Sequence, residues 1–94
     1  MLHLRIDNGR RRVWVEDQEI ELTALEFNLL HTLADHHGIV RSRVQLLEKV
    51  WGYDYFGDLR VVDVHIGHLR KKVGEDYIET VRGAGYRLQD SEKQ

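Results

Sequence analysis

Four cations, Arg60, Arg70, Lys71 and Lys72, fall within residues 59–74 against one acid, Asp63, giving a local charge of +3. Guanidinium and ammonium groups at that density neutralise phosphates or carboxylates, and arginine's planar fork of donors also fits two acceptors at once. Arg82 stands directly before Gly83-Ala84-Gly85, and arginine is the side chain that a narrow, negative groove attracts. There are six histidines, with His65 and His68 three apart and His36-His37 adjacent. A helix brings His65 and His68 together, but a metal site needs further converging ligands, and the sequence offers none. The chain has no cysteine, hence no thiolate ligand and no disulfide. No nucleophile stands out with a matched base and orienting group, so neither an enzyme nor a cofactor or metal protein is expected.

Composition bounds the rest. The 94 residues make one domain, 1–94, with 41% hydrophobic and 32% charged residues, an ordinary balance for a soluble fold. A net charge of -2 and a pI near 6.3 are not the signature of a protein that coats nucleic acid indiscriminately. The charge is unevenly spread: residues 1–40 sum to -3 and residues 41–73 to +3, so a basic surface can sit on an acidic body. No apolar run is long enough for a membrane span or a secretory signal, so a cytoplasmic location is expected.

The elements that must position these cations can be read along the chain. Leu2, Leu4 and Ile6, then Val13 and Val15, then Ile20 and Leu22, alternate with polar residues. They predict a short antiparallel meander, with a positive-φ turn at Asp7-Asn8-Gly9 and a polar turn at Glu16-Asp17-Gln18. Arg10-Arg11-Arg12 reads as a solvated charge run ahead of a phosphate contact. Thr23-Ala24-Leu25-Glu26 is a capping box, with Leu22 and Phe27 placed as a hydrophobic staple. Leu25, Leu29 and Leu33, widened by Phe27, Leu30 and Ala34, predict an amphipathic helix that Gly38 ends. Ser42 and Gln45 form a second capping box, and Val44, Leu47, Val50 and Trp51 mark that helix's inner face before Gly52. Asp58 is placed to cap a third helix, about 59–73, whose Leu59, Val62, Ile66, Leu69 and Val73 form a core stripe. Arg60, Val64, Gly67, His68 and Lys71 fall opposite. A helix with this profile suits a major groove, and it equally suits a solvated basic face. Arg70 lies beside Asp63 near the stripe's edge, which leaves it open to an internal ion pair as well as to a DNA contact. Residues 77–88 predict a hairpin with its tip at Gly83-Ala84-Gly85, where backbone can approach a surface closely. The order is strands, helix, helix, helix, hairpin: an α+β chain of winged helix-turn-helix type, with an N-terminal antiparallel sheet, a three-helix cluster and a C-terminal wing.

Leu22-Thr23 with Glu26 and Leu29-Leu30, Arg43 with Leu46-Leu47, and Val50-Trp51 are followed by Arg60-Val61-Val62-Asp63-Val64-His65-Ile66. Leu69-Arg70-Lys71-Lys72 and Thr80-Val81-Arg82-Gly83-Ala84-Gly85-Tyr86-Arg87 complete the series. From about residue 2 to residue 88 the chain resembles the effector domains of OmpR/PhoB-family two-component response regulators. The resemblance implies sequence-specific binding of double-stranded DNA, with the third helix in the major groove and the wing at the adjacent minor groove. It places Arg60 and Trp51 near phosphates, and Val61, Val64, His65, His68, Arg70 and Lys72 along the recognition helix, joined by Arg43 and Lys71. Thr80, Arg82 and Gly83 become the wing contacts. Tyr53, Asp54, Tyr55 and Phe56 match the loop that family members turn toward RNA polymerase, although aromatic residues there also serve to pin a loop to the core. The resemblance further implies a phosphorylated N-terminal receiver domain, for which this chain has no room, and dimers on direct repeats. An excised effector domain or a stand-alone relative is therefore expected. Many relatives carry arginines where this chain has Gly67 and His68; histidine lacks arginine's bidentate reach to guanine. A winged-helix module that binds protein rather than DNA is the alternative, favoured by the acidic pI.

Overall fold

The computed structural model describes residues 4–89. Three short strands, β1 (Leu4–Asp7), β2 (Arg12–Val15) and β3 (Gln18–Ile20), pair antiparallel in chain order, with Leu4 opposite Val15 and Val13 opposite Ile20. This is the expected meander; Leu2 lies outside the described residues. Its first turn is built differently from expectation. The Asp7 carboxylate accepts the Arg10 amide at 3.0 Å, and the positive φ falls on Arg11, at 57°, rather than within Asp7-Asn8-Gly9. At the second turn Glu16 and Asp17 both take positive φ, 50° and 70°, the two-residue geometry that follows the strand twist. The arginine run is also more engaged than a solvated run. The Arg11 guanidinium donates to the Asn28 carboxamide at 2.9 Å and lies over the Phe27 ring at 4.4 Å, while Arg12 pairs with Glu19 at 2.7 Å.

Helix α1 (Ala24–Asp35) starts at the capping box. The Thr23 hydroxyl accepts the Glu26 amide at 3.1 Å and the Glu26 carboxylate accepts the Thr23 amide at 2.9 Å. Phe27, Leu29, Leu30 and Leu33 are buried, while Leu25 is half-buried, so the buried face centres on the second half of the expected stripe. The cap falls on His36 rather than at Gly38, whose amide instead donates to the Leu88 carbonyl at 3.1 Å.

The second capping box also forms, with Ser42 accepting the Gln45 amide at 3.0 Å. Helix α2 (Arg43–Leu46) then widens into a π-helical turn, Leu47–Trp51, which Gly52 closes by donating to Leu47 and Glu48. This corrects the expected inner face. Leu46 is fully buried and Val44 is 48% exposed: the inner face follows the spacing 46, 47, 50, 51, and Val44 lies about 200° round the helix from Leu46.

Helix α3 (Arg60–Val73) takes Leu59 as its cap residue, one position beyond Asp58. The Asp58 carboxylate still serves the helix end by accepting the Arg60 amide at 2.9 Å. Val62, Ile66, Leu69 and Val73 are buried as expected, with Leu59 packed at the rim. Strands β4 (Ile78–Val81) and β5 (Gly85–Leu88) form the hairpin, with Thr80 opposite Tyr86. One core runs through the three helices, β2 and the hairpin, gathering Val13, Leu29, Leu46, Ile66, Leu69 and Ile78.

The link between α1 and α2 is bonded to the hairpin. Arg41 donates its amide to the Tyr86 carbonyl at 2.7 Å and accepts the Tyr86 amide at 2.9 Å. Gly85 makes this approach possible: at φ 146°, a Cβ there would overlap the Arg41 carbonyl and sit 2.8 Å from the Ser42 Cα. The close approach read from the glycines is thus made to the chain's own backbone.

Candidate nucleic-acid interface

The stripe that buries α3 decides which of its residues look outward. Val64 is 52% exposed, and His68 and Lys71 are exposed along the same face as Arg60. Gly67 sits among them with nothing within 4 Å of where a side chain would begin. Arg60 at the helix start is committed to a neighbour: the Asp58 carboxylate accepts its Nε at 2.9 Å and its Nη2 at 2.7 Å. Those bonds and the Arg60 amide hold the Asp58 carboxyl below its usual range.

Three other cations assigned to this face are also held from within. Arg43 of α2 pairs with Asp63 at 3.1 Å, and Asp63 also accepts the Tyr86 hydroxyl at 2.6 Å. One carboxylate therefore ties α3 to both α2 and β5. Burial first, and the Asp63 carboxylate second, push the Tyr86 hydroxyl up to about 12. Asp63 thus engages Arg43 and Tyr86, while Arg70 turns to the wing. Arg70 donates Nε and Nη2 to the Ile78 carbonyl at 3.1 and 2.7 Å, and Nη2 also to the Thr80 hydroxyl oxygen at 2.7 Å. Lys72 reaches away from the outward face to Glu26 of α1, Nζ to Oε1, at 2.8 Å. Burial alone would push the Glu26 carboxyl up, yet hydrogen bonds from Lys72 and the Thr23 amide hold it below the usual range. Glu26 is only 5% exposed while the Lys72 side chain is 40% exposed, so α1 and α3 are joined through a charge pair whose acid is buried and whose base is still open to water.

Lys71 and Arg82 remain exposed and take no hydrogen bond or ion pair among the described residues. Thr80 and Gly83 are exposed beside Arg82 on the wing. A cleft of about 390 Å³ runs between the wing tip and the start of α2, lined by Ser42, Arg43, Val44, Leu59, Thr80 and Arg82 among others. Ser42, Val44 and Leu59 were not singled out for this surface from sequence, because only the folded wing brings the start of α2 beside it.

Trp51, Val61 and His65 are half-buried. The His65 ring stands edge-on to Trp51 at 5.3 Å and to His68 at 5.6 Å, and its Nδ1 bonds the Val61 carbonyl at 2.9 Å. His65 is thus packed into a turn of aromatic contacts, leaving His68 as the reachable ring. In the loop after α2, Tyr55 tilts against Trp51 at 6.5 Å, while Tyr53 and Phe56 stand out, Phe56 at 94% exposure. One aromatic pins the loop and two face solvent. Among the described residues no three His, Asp or Glu side chains group as a metal site, and no helix is long and apolar enough to cross a membrane.

Residues 17–88 match the family model described as "Transcriptional regulatory protein, C terminal". The chain belongs to the OmpR/PhoB family of response-regulator effector domains. It is 44% identical to the DNA-binding domain of Bacillus subtilis CssR, covering 92% of this chain and 99% of that one, with a TM-score of 0.83. The Klebsiella pneumoniae RstA DNA-binding domain, solved in complex with RstA box, is 36% identical over 92% of this chain and 90% of its own, also with a TM-score of 0.83. Thermotoga maritima DrrB, an OmpR/PhoB homologue, is 34% identical over 95% of this chain, with a TM-score of 0.84. The chain spans 44% of DrrB and 41% of the RitR C128D mutant, about two fifths of those longer regulators.

The match fixes the class of this OmpR/PhoB domain as a transcription-regulator domain rather than an enzyme. Its candidate residues fall into three sets. Val64, His68, Lys71, Arg82 and Gly83 are exposed; Trp51, Val61 and His65 support from half-buried positions; Arg43, Arg60, Arg70, Lys72 and Thr80 are bound to other side chains or backbone.

Proposed function

We propose that this domain binds double-stranded DNA sequence-specifically, with α3 in the major groove and the wing at the adjacent minor groove. The observation that carries this reading is the rigid join between the two. Arg70 bonds the recognition helix to β4, so the outward face of α3 and the Arg82-bearing tip are offered together. The groove assignment is supported by an exposed line of Val64, His68 and Lys71 whose side chains make no hydrogen bond or ion pair among the described residues. Val64 offers an apolar contact for a thymine methyl, and His68 a single donor or acceptor for a base edge. Arg82 supplies the minor-groove arm. In the whole regulator the domain follows a receiver and binds direct repeats as a dimer, and the exposed Tyr53 and Phe56 meet RNA polymerase. The solved complexes of the RstA domain with RstA box and of the AdeR domain with an intercistronic region support duplex DNA as the ligand.

The test is fluorescence anisotropy with sheared genomic duplexes, followed by sequencing of the bound fraction. Enrichment of a short direct repeat, with affinity lost steeply in salt, is the expected result. The second reading, a protein-binding winged helix, is favoured by how many cations already have acid partners, and it predicts association unchanged by Lys71→Ala and Arg82→Ala. Loss of binding in both variants would decide against it.

A further inference from the structure

We infer that Arg70 acts on DNA through Thr80, as a positioning residue for the Thr80 hydroxyl, rather than by touching phosphate itself. The inference rests on the DNA-binding reading and deepens it. A guanidinium carries donors only, so the 2.7 Å contact between Arg70 Nη2 and Thr80 Oγ1 uses the hydroxyl oxygen as acceptor. The hydroxyl proton must therefore point elsewhere. Thr80 is exposed, on the strand that leads to Arg82, so its proton faces the surface offered to DNA. A cation held directly behind the oxygen also polarises that O–H, which strengthens a bond to an anionic acceptor. Phosphate oxygen is such an acceptor, and threonine is a common phosphate-contacting side chain.

Arg70 itself is poorly placed to leave. Its fork holds the Ile78 carbonyl through two nitrogens and the Thr80 oxygen through one of them, and its guanidinium carbon lies 5.6 Å from the Tyr86 ring centre. A move to phosphate would strip a half-buried carbonyl of its donors, a loss that one phosphate contact does not recover well. Lysine cannot replace this arrangement, because an ammonium lacks the planar fork that spans two acceptors.

The experiment measures affinity of the whole domain for a generic duplex, and for the repeat selected above, across 50–200 mM salt. The variants are Thr80→Val, Thr80→Ser, Arg70→Ala, Arg70→Lys, and Arg70→Ala with Thr80→Val. Thr80→Val is expected to weaken binding on the order of tenfold with the salt slope unchanged, since a neutral donor releases no counterion. Thr80→Ser restores most of that loss. Arg70→Ala and Arg70→Lys are expected to match Thr80→Val, and the double variant to bind no worse than either single change, the signature of two residues acting through one contact. The inference is overturned if Arg70→Ala flattens the slope by about 0.9, the mark of a direct phosphate contact. Arg70→Lys binding like the wild type, or losses that multiply in the double variant, would also overturn it. If Arg70→Ala unfolds, Arg70→Lys and the Thr80 pair decide the matter alone. Failure of the wild-type domain to bind any duplex overturns the functional reading itself, and is recognised before any variant is made.

Discussion

Asp58 spends its carboxylate on one residue: one oxygen accepts the Arg60 amide and the other its guanidinium. For a DNA-binding helix this has a measurable cost, because a phosphate must compete for Arg60 against a neighbour already in place. Asp58→Asn keeps an oxygen for the Arg60 amide and removes the charge. Affinity for any duplex is expected to rise several-fold, on the order of fivefold, with a salt slope steeper by about 0.9. Anisotropy titrations at three salt concentrations check both. Tyr86 makes a prediction about pH. Its hydroxyl is raised from 10.0 to about 12 in the fold, so the native state keeps a proton that the unfolded chain gives up. The stability it contributes is complete below pH 10 and is lost as pH rises toward 12. Denaturant melts between those limits should fall steadily for the wild type, and Tyr86→Phe should remove most of that slope. An unchanged slope in the phenylalanine variant would assign alkaline lability to another group.

At the scale of elements, two glycines make opposite predictions from one geometric fact. Gly67 lies inside α3 with open space around its missing side chain, so Gly67→Ala should stabilise by about 1 kcal/mol. Gly85 sits at φ 146° against the Arg41 carbonyl, so Gly85→Ala should cost about 2 kcal/mol or more by breaking the bridge to the wing. Thermal melts of both variants, read against the wild type, give the sign directly. The same contrast explains what the sequence disclosed. Both capping boxes were legible because each is a contract between residues three apart, and the α3 stripe because a helix repeats every 3.6 residues. Val44 was misplaced because Leu47, Val50 and Trp51 fit a stripe begun at either Val44 or Leu46, and only the packed core shows that Leu46 is the buried one. Asp63, expected near Arg70, bonds Arg43 and Tyr86, 20 and 23 positions away, and Lys72 crosses 46 positions to reach Glu26. Such partners are chosen by how elements pack, so basic residues could be named from sequence while their availability could not.

For the whole molecule, acid partners set how strongly DNA of any sequence can hold the domain. Lys71 and Arg82 have no acid partner among the described residues, whereas Arg43 and Arg60 do. The slope of log affinity against log salt for one domain should therefore lie between about -2, with only the unpaired pair on phosphates, and about -4, if Arg43 and Arg60 exchange carboxylate for phosphate. A value near zero would leave no room for phosphate contacts and would favour a protein partner. The bonds that fix the wing also bear on how copies coexist. Tyr86 gives its amide and carbonyl to Arg41, Leu88 its carbonyl to Gly38, and Ile78 its carbonyl to the Arg70 guanidinium. Each side of the two-stranded hairpin thus ends in a stopper drawn from another element. Exposed strand edges invite sheets from neighbouring molecules to fuse, and fusion is most favoured where copies are crowded. Crowded side by side along a duplex, such hairpins would meet as finished surfaces rather than merge into one shared sheet.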